Sequence, residues 1–154
     1  KKVMSKQDFE VRFDTTFREV ITACATVRRK GARGTWITGE MIEAYCRLHD
    51  LGFAHSVETW EKGILVGGLY GISLGAAFFG ESMFTYGNNG SKIALATLLQ
   101  HLHTWRFHFL DCQMSSELVS RLGAANWDRR HFQHALKNAL QIPTRQGKWT
   151  DPRK

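Results

Sequence analysis

The sequence predicts an α+β fold in which a mixed sheet is flanked by helices. Two observations predict it. Three apolar, alternating runs follow one another between residues 56 and 79, and a long helical stripe then separates them from another apolar run at residues 107–112. Strands grouped this way, with helices before and after, suit a sheet covered by helices on both sides. No segment repeats, which excludes solenoid and propeller architectures.

Phe9, Val11 and Phe13 alternate and mark a short first strand. Asp14 stands where a helix cap is expected. Phe17, Val20, Ile21 and Cys24 then recur at i, i+3, i+4 and i+7, one helical face. Arg28-Arg29-Lys30-Gly31 and Arg33-Gly34 form a basic loop. Thr38 caps a second helix with the stripe Met41, Tyr45 and Leu48, which Gly52 stops. Runs 56–60 and 64–70 alternate around the turn Glu61-Lys62-Gly63. Gly67, Gly68 and Gly71 inside the second run imply a bulge, or close approach of a ligand to the backbone. Residues 72–79 read as a third strand with a turn near Gly75, ended by Gly80-Glu81-Ser82-Met83-Phe84. Ser91 caps a long helix carrying Ala94, Leu95, Leu98 and Leu102. The strand 107–112 follows, then a short helix over 116–122 stopped by Gly123. Asp128 caps a last helix with Phe132, Ala135, Leu136 and Leu140. Residues 1–140 form one domain, and 141–154, polar and basic with Pro143 and Pro152, form a flexible tail.

The chain of 154 residues, 43% hydrophobic and 23% charged, can bury a core without cross-links. Cys24, Cys46 and Cys112 are odd in number, far apart and without a CxxC, which reads as free thiols in a reducing compartment. No apolar run approaches the roughly 18 residues that span a bilayer. Lys1, Lys2 and Lys6 are followed by Asp8 and Glu10, not by the apolar core of a secretory leader, so the cytoplasm is the expected location. Lys and Arg number 21 against 14 Asp and Glu, a net charge of +7 that favours polyanionic partners.

The chemistry concentrates at Phe107-His108-Phe109-Leu110-Asp111-Cys112-Gln113. Strand alternation puts Asp111 and Gln113 on one face and Cys112 on the other. A proton acceptor beside a neutral polar group at the end of a buried strand can handle an amine nucleophile and a developing charge. The plainer alternative is that Asp111 caps the next helix and Gln113 is solvated. Glu81 is either an exposed carboxylate at a strand end or an anion poised for a cation. Leu69, Met83, Leu95, Leu98, Leu102 and Leu110 are core, with part of the cluster free to line an apolar pocket. Trp36, beside the basic loop, is a core anchor or a platform for a base. A metal is not expected: His101 and His103 sit at i and i+2 on a helix, and no HExxH or Cys/His pair has zinc spacing. There is no Walker loop and no GxGxxG.

In order along the chain come Arg33-Gly34-Thr35-Trp36-Ile37-Thr38, Ala44-Tyr45 with Leu48-His49, Ala54-His55-Ser56-Val57-Glu58 and Gly67-Gly68-Leu69-Tyr70-Gly71. Gly80-Glu81-Ser82-Met83-Phe84, Asn89-Gly90-Ser91-Lys92 and Asp111-Cys112-Gln113 follow. The ordered set resembles the leucyl/phenylalanyl-tRNA–protein transferase family over about residues 1–140.

The resemblance implies an acetyltransferase-like (GNAT-related) sheet and no cofactor. It implies transfer of Leu or Phe from its tRNA to a protein beginning with Arg or Lys, which marks that protein for N-end-rule degradation. By resemblance Asp111 takes the amine proton and Gln113 positions the amine. Glu81 would hold a cationic group, Trp36 would stack on the terminal adenine, and Leu69, Met83, Leu95, Leu98, Leu102 and Leu110 would select the apolar side chain. The partners implied are Leu-tRNA, Phe-tRNA and the acceptor protein, with the enzyme a monomer. The family has a further small N-terminal domain ahead of the point where this chain starts, so the chain reads as a fragment or a truncated relative. Leu118 and Arg121 stand where the family usually has His and Ser. Those departures leave a second reading, a catalytically silent tRNA- or peptide-binding module. Coenzyme A chemistry is a third, weakened by a loop, Gly87-Asn88-Asn89-Gly90, that makes a poor phosphate cradle.

Overall fold

The computed structural model describes residues 9–27, 35–113 and 115–150. The basic loop at 28–34, the first lysines and the last four residues of the expected tail lie outside them. The elements are β1 (Phe9–Phe13), α1 (Phe17–Thr26), α2 (Gly39–Asp50), β2 (Ala54–Glu61), β3 (Ile64–Leu74), β4 (Ala77–Thr85), α3 (Gly90–Thr104), β5 (Phe109–Asp111), α4 (Glu117–Arg121) and α5 (Arg129–Ala139). The five strands form one sheet in chain order. Neighbours from β1 to β4 are antiparallel, and β5 joins β4 in parallel. That one parallel pair follows from the crossover through α3, which returns the chain to the same end of the sheet.

Strand alternation sorts the core into two layers. Val57, Leu69 and Phe78 pack with Ala94, Leu95, Leu98 and Leu102 of α3. Ala54, Tyr70 and Phe84 pack with Phe17, Val20, Ile21 and Cys24 of α1. The glycine-rich run in β3 serves this packing. A Cβ on Gly67 would sit 2.5 Å from the carbonyl carbon of Gly90, so the close approach is made by the start of α3 and not by a ligand.

Several boundaries differ from the sequence reading. Residues 72–74 belong to β3, because Gly75, at φ +55, turns the chain before β4 begins. The strand expected over 107–112 shrinks to three residues. Asn89, at φ 71, takes the N-cap place of α3, and Ser91 lies in its first turn. Asp14 does not cap α1 but is buried at φ 54. The start of α1 is served instead from β2: the Glu58 carboxylate accepts the backbone N–H groups of Thr15 and Thr16 at 3.2 and 3.4 Å and the Thr15 hydroxyl at 2.6 Å. Burial pushes that carboxyl up, and the Ser56 and Thr15 hydroxyls and the Thr16 N–H pull it back.

The flexible tail is a further correction. Trp149 is 3% exposed and stacks on His55, with ring centroids 3.8 Å apart and planes 9° from parallel. Its backbone N–H donates to Asp14 Oδ2 at 2.7 Å. The same oxygen lies 2.8 Å from His55 Nδ1, and Oδ1 accepts the Ser56 N–H at 2.9 Å. Upstream, the Thr144 hydroxyl accepts from Gly75 N–H at 2.8 Å, and Gln146 Nε2 donates to Leu51 O at 2.7 Å. One buried aromatic and a few directed hydrogen bonds hold a segment whose composition is polar. In urea unfolding, Trp149→Ala is expected to lower stability by about 3–5 kcal/mol. Ile142→Ala, at an exposed position of the same segment, is expected to change it by under about 0.5 kcal/mol. Equal, small effects would mean that the segment does not seal the core.

Candidate active site

The site forms where β4 and β5 part. They pair only through Ala77, Phe78 and Phe79 against Phe109, Leu110 and Asp111, after which β5 ends and β4 runs on to Thr85. Just beyond the last pair, β4 carries a bulge: Gly80 faces Gly71 and Ser82 faces Tyr70, leaving Glu81 as the extra residue. A bulge turns a side chain out of the regular alternation. Here it sets Glu81 next to Tyr45 of α2 and close to Asp111.

The Tyr45 hydroxyl donates to the Glu81 carboxylate. Burial pushes the Glu81 carboxyl up, the Tyr45 bond offsets part of this, and the charge of Asp111 adds to the rise. Burial and Glu81 together push the Tyr45 phenol up to about 12, so it remains a donor. Burial, with Asp111 second, pushes the Cys112 thiol up, which keeps it from acting as a thiolate.

Asp111 and Gln113 are brought together, but not by a shared strand face. Gln113 lies beyond the end of β5 at φ 60, and its backbone N–H donates to Asp111 Oδ1 at 2.9 Å. A carboxylate accepting from the backbone two residues on is a local turn of the kind that Asp favours. It fixes one carboxylate oxygen.

Both residues line a cavity of about 780 Å³ with Leu95, Leu99, Phe109, Leu110, Val119, Trp127 and Phe132. Of the apolar residues expected to form a pocket, Leu95 and Leu110 reach this cavity, whereas Leu69, Leu98 and Leu102 are buried core, with Met83 packed against it. Trp36 is 47% exposed in the segment entering α2 and is not part of the cavity wall. Sequence reasoning missed Tyr45 as a polar contact, because its place on the helical stripe of α2 read as core. It also missed Phe109 and Trp127, whose rings meet edge to face at 5.4 Å. Among the described residues, no group of His, Cys, Asp and Glu could hold a metal ion, and no helix is long and apolar enough to cross a membrane.

Solved structures of similar shape include a GNAT family acetyltransferase from Brucella melitensis in complex with acetyl-CoA, at TM-score 0.58 and 16% identity, covering 78% of this chain and 84% of that one. Another is a ribosomal-protein-alanine N-acetyltransferase from Brucella melitensis biovar Abortus 2308, at TM-score 0.52 and 17% identity, covering 78% and 94%. At such identities the likeness is one of fold, and it bears out the acetyltransferase-like sheet. Two relatives named leucyl/phenylalanyl-tRNA–protein transferase are far closer in sequence. That of Myxococcus xanthus is 55% identical over 98% of this chain, and that of Desulfatibacillum aliphaticivorans 49% identical over 97%. The chain spans 64% of the length of each. The family model described as leucyl/phenylalanyl-tRNA protein transferase matches residues 1–137. The chain therefore belongs to the leucyl/phenylalanyl-tRNA–protein transferase family.

Proposed function

We propose that this chain carries the catalytic centre of an aminoacyl-tRNA–protein transferase, moving Leu or Phe from tRNA to the α-amine of a protein that begins with Arg or Lys. The observation that carries this reading is the Asp111–Gln113 turn at the wall of a largely apolar cavity, with a second carboxylate, Glu81, beside it.

The acceptor amine has an ordinary pKa near 7.7–8.0 and must lose a proton to attack. Asp111 takes a further proton as the amine attacks, and the Gln113 amide orients the nitrogen. A C–N bond forms at the ester carbonyl and the ester C–O bond breaks. Of the two protons that the α-ammonium loses, one goes to solvent before attack and the other passes through Asp111 to the departing ribose oxygen, so the amide product, a free tRNA 3′ hydroxyl and one released proton balance the step. Leu95 and Leu110 contact the apolar aminoacyl side chain, with Leu69, Met83, Leu98 and Leu102 as the packed layer behind them. Discrimination between Leu and Phe then rests on volume, which limits it. Trp36 receives the terminal adenine, and Glu81 holds the cationic group of the acceptor. Basic segments bind tRNA phosphates without reading sequence. The product's bulky N-terminus marks it for proteolysis in the cytoplasm.

The two departures from the family pattern lie outside the residues assigned to this centre. Leu118 packs against the α3-side core, and Arg121 pairs with Glu117 on the exposed side of α4. Neither lines the cavity.

Radiolabelled Phe is expected to move from Phe-tRNA to a peptide beginning with Arg when this chain is added. No transfer by folded protein would favour the silent-module reading, which predicts salt-dependent tRNA binding without turnover. Asp111→Ala and Gln113→Ala are each expected to cut turnover more than about tenfold, a typical share for one acid–base or positioning group, with tRNA binding nearly unchanged. Because the Glu81 carboxyl lies above the ordinary carboxylate value, it gains its proton earlier as pH falls. Acceptor KM is thus expected to rise on mild acidification, and Glu81→Gln to raise KM at neutral pH and flatten that dependence.

A further inference from the structure

The outward face of α5 carries cations without counterions. Its apolar side is spent on the sheet: Phe132 meets Phe109 with ring centroids 5.7 Å apart, and Leu136 and Ala139 pack with Ala76 and Ala77. Arg130, His134 and Lys137 recur at i, i+4 and i+7, so they share the opposite side, and all three are exposed. From Arg129 to Thr150 the sequence holds five cations, Arg129, Arg130, Lys137, Arg145 and Lys148, and no Asp or Glu, in a chain of net charge +7. By contrast Arg12 pairs with Glu10, Arg18 with Glu43 and Arg121 with Glu117. Among the described residues, no ion pair holds Arg129, Arg130 or Lys137. The neighbouring carboxylate, Asp128, is engaged as the cap of the helix, accepting the His131 N–H at 2.8 Å.

The helix also leads to the site. Its first turn supplies Arg129 and Phe132 to the cavity wall, and Trp127, just ahead of it, lines the same cavity. That indole is 42% exposed and stacks on His131, with ring centroids 4.4 Å apart and planes 27° from parallel. Cations beside an exposed indole suit an RNA strand, which offers phosphates to the first and a base to the second. A bilayer suits them less, because the outward positions 130, 134 and 137 carry no apolar group to insert. An acceptor beginning with Arg or Lys would meet like charge. Resting on the transferase reading above, we propose that the acceptor end of the tRNA lies along the outer face of α5, with phosphates at Arg130 and Lys137 and an unpaired base on Trp127, so that its 3′ end enters the cavity past Arg129. Arg130 and Lys137 are about 10 Å apart along the helix axis, a span of a few phosphates. Contacts of this kind fix where the strand runs and carry no sequence reading.

The test measures binding of tRNA, and of its acceptor arm alone, over a range of salt, with Phe transfer assayed separately. Arg130→Gln combined with Lys137→Gln removes two exposed charges. That pair is expected to make the slope of log K against log salt shallower by about 1.5, and to weaken binding of both RNAs more than about tenfold at about 0.1 M salt. Arg18→Gln combined with Arg47→Gln removes the same charge from α1 and α2 and is expected to leave the slope unchanged. Trp127→Ala is expected to weaken binding about tenfold with the slope kept, and Trp127→Phe to restore most of the loss. An unchanged slope in the α5 pair, an equal loss in the control pair, no effect of Trp127→Ala, or no RNA binding by the unaltered chain would each overturn the α5 track. So would tighter binding to phosphatidylserine vesicles than to RNA. Transfer from Phe-tRNA to a peptide beginning with Arg reports on the transferase reading alone. RNA binding with the expected pattern but no transfer would support the track and count against that reading; transfer with an unchanged slope would do the reverse.

Discussion

Everything at this site depends on the unequal length of two neighbouring strands. A sheet hydrogen bond needs a partner strand, and β4 outlasts β5 by the stretch from Gly80 to Thr85. At the point where pairing stops, backbone and side chains that would be consumed by the ladder become available. The bulge at Glu81 falls at that point, and so does the Asp111–Gln113 turn. Two carboxylates are thus brought near one another by main-chain geometry, with Tyr45 of α2 holding one of them. The half-buried position of Glu81 then makes its charge costly, and an incoming cation is the natural compensation.

The electrostatics of the opposite end of the sheet are resolved internally. Asp14 and Glu58 are fully buried, yet each is surrounded by donors: a histidine ring, two backbone N–H groups and hydroxyls of Ser and Thr. A buried carboxylate with directed donors costs far less than a bare one. Asp14 and Glu58 therefore join β1, α1, β2 and the C-terminal segment, whereas among the described residues it is Tyr45 that offsets the burial of Glu81. The contrast separates carboxylates that hold the fold from one that is left for a partner.

How much of this was legible in sequence followed from periodicity. The α+β class, the antiparallel run of strands and the helix α3 were readable because their apolar residues recur at clean intervals of two or of three and four. Asp111 and Gln113 were legible as a pair of residue types, but the reason for their proximity was not: a positive φ at Gln113 breaks the alternation that the pattern assumed. The bulge at Glu81 could not be read because it exists only relative to a partner strand. Trp149 was read as tail because a single aromatic between Lys148 and Thr150 makes no period, and its partner Asp14 lies 135 positions away. The leucines of the presumed pocket were divided by depth, which spacing along one helix does not encode.

That last contact has a consequence for how the molecule comes into being. The carboxylate of Asp14 and the ring of His55 are made well before the indole that covers them, which lies 135 positions beyond Asp14. During synthesis the sheet and its helices can assemble from contacts nearer in sequence, while one buried face stays wet. Closure of that face pays the entropy of a long loop only at the end. Until Trp149 is made, the sheet and its helices stand with one polar cluster still hydrated, and the docking of that indole, not formation of the sheet, seals the cluster.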